Sequence, residues 1–231
     1  MTLKTDLEAA CESTFSSRWE TADGTVVPST EDLKLTNHGR ILDVAVLYAD
    51  LADSTDMVDG YKPEFAAEIY KTFLYCAARI IRKNGGEITA YDGDRAMAVY
   101  VGADKCTRAA RTALELNWAV KNIVQVKMTA TYTTSKFVVN HVCGIDTTKV
   151  LVARTGIRGT NDLVWVGRSA NYAAKLSALP HEVPTYITPD VFKNLSDELK
   201  FSSGKNMWTQ FRWTEFDGSL IYGSTYWCQL L

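Results

Sequence analysis

From Ile41 onward the chain alternates short apolar runs with amphipathic stretches, and that rhythm sets the fold class. Ile41-Leu42-Asp43-Val44-Ala45-Val46-Leu47-Tyr48 is a mostly apolar run of the kind that forms a buried central strand, and it stops at Asp50. Residues 63–83 open on a proline suited to a first helical turn, carry Phe65, Ile69, Phe73, Cys76 and Ile80 on one face, and meet Gly85-Gly86 at their end. That pattern predicts a helix. Glu87-Ile88-Thr89-Ala90-Tyr91 and Ala96-Met97-Ala98-Val99-Tyr100 flank Asp92-Gly93-Asp94, a hairpin signal because Asp-Gly accepts the positive φ of a tight turn. Residues 104 to about 124 predict a second amphipathic helix, and residues 127–153 read as strands, with 137–143 and 150–153 the clearest runs. A helix over 168–179 is stopped by Pro180, Thr188-Pro189-Asp190 opens another, and 208–227 reads as a hairpin around Asp217-Gly218.

The first forty residues differ from the rest. Thr5 and Glu8 make a capping-box pattern ahead of Leu7, Cys11 and Phe15 at helical spacing, so a helix is expected to fade near Ala22-Asp23-Gly24, with polar loop from there to Arg40. The order of elements predicts an α+β domain over 41–231, with helices on one face of a mixed sheet, preceded by a helix-and-loop extension over 1–40.

Composition narrows the class. At 231 residues with 46% hydrophobic content, the chain can bury a sizeable core, which excludes disordered and low-complexity readings. A net charge of −2 provides no basic field to hold a nucleic-acid backbone, so no nucleic-acid partner is expected. The five cysteines (Cys11, Cys76, Cys106, Cys143 and Cys228) contain no CxxC pair, which argues against a zinc site or disulfide framework and for a reducing cytoplasm. No window approaches the roughly 20 apolar residues of a membrane span. Lys4, Asp6 and Glu8 stand where an export signal needs an apolar core. Cys76, Cys106 and Cys143 sit on apolar faces as core thiols, and His38, His141 and His181 have no mutual spacing that makes a metal site.

The sharpest chemistry lies at Asp50 and Asp94. Asp50 leaves the end of a buried strand and Asp94 sits at the turn of the neighbouring hairpin. Carboxylates on adjacent strand ends can chelate two hard cations and so serve phosphoryl transfer. Taken singly, Asp50 serves equally well as a cap and Asp94 as a turn residue.

Together they stand in a longer pattern. Tyr48-Ala49-Asp50-Leu51-Ala52-Asp53-Ser54-Thr55 comes first, and Gly85-Gly86-Glu87-Ile88 then leads to Gly93-Asp94. Gly167-Arg168-Ser169-Ala170-Asn171-Tyr172-Ala173-Ala174-Lys175-Leu176 follows. In that order, over 41–199, the chain resembles the catalytic domain of class III nucleotidyl cyclases. The resemblance implies a ferredoxin-like α+β fold, a mixed and mostly antiparallel sheet with helices packed on it. It implies Asp50 and Asp94 as ligands of two Mg²⁺ or Mn²⁺ ions, with the Leu51 carbonyl as a further metal contact. It also implies that Ala52, Asp53, Ser54 and Thr55 offer backbone N–H groups to the triphosphate, which suits a small-residue turn facing an anion. Asn171 would orient the ribose and Lys175 would stabilise the α-phosphate; they are four apart on one helix face, where an exposed polar pair is the plainer reading. Lys175 stands where the family has arginine, keeping the charge and losing the bidentate fork. Asp53 stands where many relatives have glycine.

The family's purine readers, four residues before the second metal aspartate and seven before the asparagine, are here Ala90 and Val164. Neither supplies the polar contacts that select a purine. Tyr91, Tyr48, Arg95 and Asn161 are the candidates to read the base instead, each equally open to a packing or surface role. This departure, with the stand-alone layout, resembles the bacterial pyrimidine cyclases of anti-phage signalling systems. That resemblance implies UTP, ahead of CTP, as substrate and 3′,5′-cyclic UMP with pyrophosphate as products. It implies a homodimer with active sites at its interface and a downstream cyclic-nucleotide-binding effector. The other readings are a cytidylate or adenylate cyclase and, in a different class, a non-catalytic cyclase-like nucleotide-binding dimerisation module, against which the retention of both aspartates argues.

Overall fold

The apolar run at 41–48 is the middle of a longer central strand in a computed structural model that describes residues 2–230. Met1 and Leu231, the outer limits of the two expected segments, lie outside the described residues. The chain opens with α1 (Leu3–Ser16), β1 (Glu20–Gly24), a 3₁₀ turn (Thr30–Asp32) and β2 (His38–Leu51). There follow α2 (Ser54–Gly60), α3 (Pro63–Lys83), the hairpin β3 (Glu87–Asp92) and β4 (Arg95–Val101), then α4 (Lys105–Ala119). A π turn (Val120–Val124) carries α4 into α5 (Gln125–Thr131), before β5 (His141–Ile157) and β6 (Thr160–Val166). The last part holds α6 (Arg168–Ser177), β7 (Thr185–Ile187), α7 (Pro189–Lys193), α8 (Asp197–Lys200), the short pair β8 (Phe201–Ser202) and β9 (Lys205–Asn206), and the hairpin β10 (Thr209–Trp213) and β11 (Ser219–Ser224).

The main sheet runs β10-β11-β7-β5-β2-β4-β3, with β1 and β6 paired to β2 and β5 off that path. β1 with β2 and β5 with β7 are parallel, and the other ladders are antiparallel. The mixed, mostly antiparallel α+β architecture is the expected one. Helices cover both faces, however, where one was expected. Ala45, Leu47, Ala49 and Leu51 of β2 pack into the core under α3 and α4, while Leu42, Val44 and Val46 face Ala170 and Ala173 of α6 on the other side. A strand without polar alternation must be covered twice, and the run at 41–48 has almost none.

Three boundaries differ for identifiable reasons. α1 is capped by Thr2, whose hydroxyl accepts from the Thr5 N–H, and it ends at Ser16 rather than near Gly24. Residues 20–24, expected as the helix's end and the start of a loop, form β1 beside the start of β2. The segment expected as strand from 127 remains helical to Thr131, because Val120, Val124 and Met128 are buried at a spacing of four. Phe137 then sits in a loop against Tyr61 and Phe65, and the strand begins at His141. The thiols of Cys106 and Cys143 are buried and Cys76 is half-buried, as expected of core cysteines. No helix among the described residues is long and apolar enough to cross a membrane.

Two features fix α6 on its face of the sheet. Gly144 of β5 lies against the Ala173 carbonyl and the Ser177 amide, so the absence of a side chain there lets the helix backbone approach. At the helix's start, the Arg168 guanidinium spans buried Asp146 at 3.0 Å and Asp190 at 2.6 Å, and Thr188 donates to Asp146 at 2.6 Å. Position along the helix is thereby set from both ends.

Candidate active site

Asp50 and Asp94 come together because β2 and β4 are neighbours. Asp50, near the end of β2, stands opposite Arg95, the first residue of β4, and Asp94 is the turn residue before it. Only Gly93 in that turn takes a positive φ, 62°, and the turn is closed by an Asp92–Arg95 ion pair at 2.7 Å. Burial pushes the Asp50 carboxyl up to about 6, and the nearby Asp94 carboxylate pushes the same way while Arg95 opposes both. Arg95 also lies over the Tyr48 ring, 5.7 Å from its centroid. A half-buried carboxylate raised by desolvation and a like charge is a place where a cation is stabilised by what the protein itself lacks. Among the described residues no cluster of three or more His, Cys, Asp or Glu side chains has metal-ligating geometry.

Beyond Leu51 the chain turns sharply into α2. Ala52 donates its N–H to the Asn140 carbonyl at 3.0 Å, so that donor is committed within the chain. This narrows the donors expected over 52–55 to Asp53, Ser54 and Thr55, at the start of a helix whose first N–H groups have no intrahelical acceptor. Asp53 takes φ 58° and ψ 25°, the left-handed region in which glycine is at ease and aspartate is tolerated. Its carboxylate makes no cap to α2; it pairs with His181 Nδ1 at 3.3 Å. Asp50, Leu51, Ala52, Asp53 and His181 line one cleft of ≈ 300 Å³, closed on its far side by Val142 and the end of α6. His181 was legible only as the residue after the proline that stops α6.

Asn171 and Lys175 are both exposed, on a helix that shares a face of the sheet with Asp50. Lys175 Nζ lies 4.7 Å from the centroid of Phe216, in the loop between β10 and β11. That loop is at one edge of the sheet, whereas Asp94 belongs to the hairpin at the other. Within one chain Lys175 is thus turned toward the β10–β11 edge and away from the Asp94 hairpin, while α6 itself packs over β5 and over β2, the strand that carries Asp50.

The candidate base-reading positions are scattered as well. Ala90 is exposed beside a bulge in β3, and Tyr91 is 54% exposed. Val164 pairs with Ala153, and Ala153 with Gly39, so it lies eleven residues up β2 from Asp50, about 36 Å along the strand. It lines a cavity with Trp19, Leu35 and Asn37 instead. Asn161 accepts from Arg154 Nε at 2.8 Å on the same distant hairpin, which removes it from the surroundings of Asp50 in its own chain. Tyr48 and Arg95 remain next to Asp50.

The fold has close relatives among solved structures. A guanylyl cyclase superposes with a TM-score of 0.69 at 18% identity, covering 82% of this chain and 95% of that one. The adenylyl cyclase CyaB from P. aeruginosa gives 0.67 at 18% identity, over 84% and 98%. These define the fold as that of the class III nucleotidyl cyclases. No family profile matches the sequence. Curated relatives do: a uridylate cyclase of Xanthomonas perforans is 55% identical over 98% of both chains, and one of Burkholderia cepacia is 52% identical over the same shares. A uridylate cyclase of Rhodovulum sp. is 32% identical, again over 98% of each. The chain belongs to the uridylate cyclase family, and it is a nucleotidyl cyclase.

Proposed function

We propose that this enzyme converts UTP to 3′,5′-cyclic UMP and pyrophosphate. The observation that carries the reading is identity above half, along the whole chain, to two proteins named uridylate cyclase. The 3′-hydroxyl oxygen forms a bond to the α-phosphorus, the bond from that phosphorus to the bridging oxygen of the β-phosphate breaks, and the hydroxyl proton passes to solvent. No side-chain nucleophile takes part. Asp50, Asp94 and the Leu51 carbonyl form an oxygen donor set of the kind Mg²⁺ or Mn²⁺ prefers, and two ions held there would acidify the 3′-hydroxyl and draw charge from the phosphates. Substrate phosphates and water would supply the remaining ligands, since among the described residues no group of three or more His, Cys, Asp or Glu side chains is arranged to hold an ion.

The turn at Asp53, Ser54 and Thr55 receives the triphosphate, Asn171 orients the ribose, and Lys175 meets charge developing on the α-phosphate. Lys175 leans toward the β10–β11 edge of the sheet and Asp94 stands on the hairpin at the opposite edge, an arrangement that favours convergence of these groups from two copies facing each other about a twofold axis. The homodimer therefore builds two equivalent sites. Ala90 offers a purine edge no polar partner, while Tyr48 and Arg95 stand beside Asp50 as polar groups of a size to meet a pyrimidine. The product acts as a signal in anti-phage defence through a cyclic-nucleotide-binding effector, a role that rests on family resemblance.

Incubating the purified protein with each of the four ribonucleoside triphosphates and Mn²⁺, and identifying cyclic products by mass, tests the reading. Cyclic UMP is expected as the main product, with less cyclic CMP. Cyclic AMP as the main product overturns the pyrimidine assignment, and no cyclic product at all overturns turnover in favour of a binding module.

A further inference from the structure

The Asp53–His181 pair has no part in the chemistry described so far, yet it stands inside the cleft. Asp53 holds a backbone conformation that glycine would take without strain, and its carboxylate does not stabilise the helix that follows. The conformation and the uncapped helix both count against a purely local role. Asp50, Asp92 and Asp94 already place three carboxylates around the reacting centre, with Arg95 as the cation that opposes them. A fourth carboxylate, free at the head of α2, would repel a triphosphate from the N–H donors of the same turn. Instead its Oδ2 lies 3.3 Å from His181 Nδ1, and both side chains keep partial contact with water, at 43% and 34% exposure. His181 reaches it from the loop just past Pro180, on the helix end that forms the opposite wall of the cleft.

We propose that His181 is a positioning residue for substrate: its contact holds the Asp53 carboxylate aside, so that the turn at 53–55 can accept the triphosphate. The inference rests on reading that turn as the triphosphate-binding segment. It explains how aspartate is accommodated at a position where a carboxylate turned toward the phosphates would oppose binding, and it makes the histidine necessary only while the aspartate is present.

The dependence gives the test. KM and kcat for UTP with saturating Mn²⁺ are measured for wild type, His181→Ala, and His181→Ala combined with Asp53→Gly, glycine being free to adopt the same φ. His181→Ala is expected to raise KM by about tenfold with kcat little changed, equivalent to about 1.4 kcal/mol of lost binding. The double variant is expected to return KM to within about twofold of wild type. KM does not depend on the fraction of enzyme that folds, so a partly unfolded variant still reports. If the single variant keeps the wild-type KM, or the double is as impaired as the single, the pair is a mechanical latch and the inference is overturned. A fall in kcat at constant KM overturns it too. Equilibrium binding of a non-cyclisable UTP analogue to the same three proteins should show the same rise and return in Kd. That measurement separates the failure of this inference from a failure of the cyclase reading, because it needs no turnover.

Discussion

Replacing Asp50 with asparagine should stabilise the metal-free protein while abolishing its activity. The carboxyl is raised from 3.8 to about 6 in the folded state, by burial first and by Asp94 second. A raised folded value means that the folded state holds the proton more tightly, so the stabilising contribution is complete below about pH 4 and is lost as pH rises through 6. At 1.36 kcal/mol per pH unit the full difference is about 3 kcal/mol, and water at the half-exposed site reduces it to about 1–2 kcal/mol. Asparagine has the shape of the protonated carboxyl and cannot ionise, so it escapes this loss. For a chain of this length that corresponds to a melting temperature about 3–6 °C above wild type near pH 7.5 with a chelator present. The gap should close toward pH 4, where both side chains are neutral. Mn²⁺ should then raise the wild type more than the variant, because the ion neutralises the charge that asparagine lacks. Thermal melts by circular dichroism across this range, with chelator and with Mn²⁺, read all of it. A variant that melts at or below wild type near neutral pH without metal, with no dependence on pH, refutes the electrostatic account of the site.

Two further outcomes follow from the arrangement of the elements. Mixing inactive Asp50→Asn with inactive Asn171→Ala should recover about a quarter of wild-type cyclisation, since half the dimers are mixed and each has one of its two sites intact; no recovery after verified subunit exchange would place the whole site in one chain. Gly144→Ala should cost about 1–3 kcal/mol in urea unfolding and lower activity with it, because the new methyl group meets the Ala173 carbonyl and lifts α6 from the sheet; unfolding at the wild-type midpoint would show that α6 is not seated there.

How far the sequence discloses the site depends on how local each relation is. Asp50 and Asp94 were legible because a strand end and a hairpin turn are local features, and an apolar run beside an Asp-Gly turn brings them to neighbouring strands. Helix α3 was legible to the residue, since a proline at its start and paired glycines after it are local signals too. The helix through the π turn is legible as far as about Val124, and only its continuation over Gln125–Thr131 was hidden, by the β-branched Val126, Thr129 and Thr131, whose preference for strands is overridden by burial of Met128 against the core. The expectation that helices lie on one face failed for a related reason: the doubly apolar run in β2 was visible, but which helix covers its second face depends on Gly144 and the Arg168 anchor, contacts made between distant parts of the chain. Asp53 illustrates the same division most fully. Its departure from the family's glycine could be read at once, and the strain it implies follows from a single φ, yet its partner lies past the end of α6 and no spacing rule connects residues 53 and 181. A residue that breaks a local rule is thus a pointer to a contact that only the folded chain supplies, and at this position that contact lies in the cleft lined by Asp50.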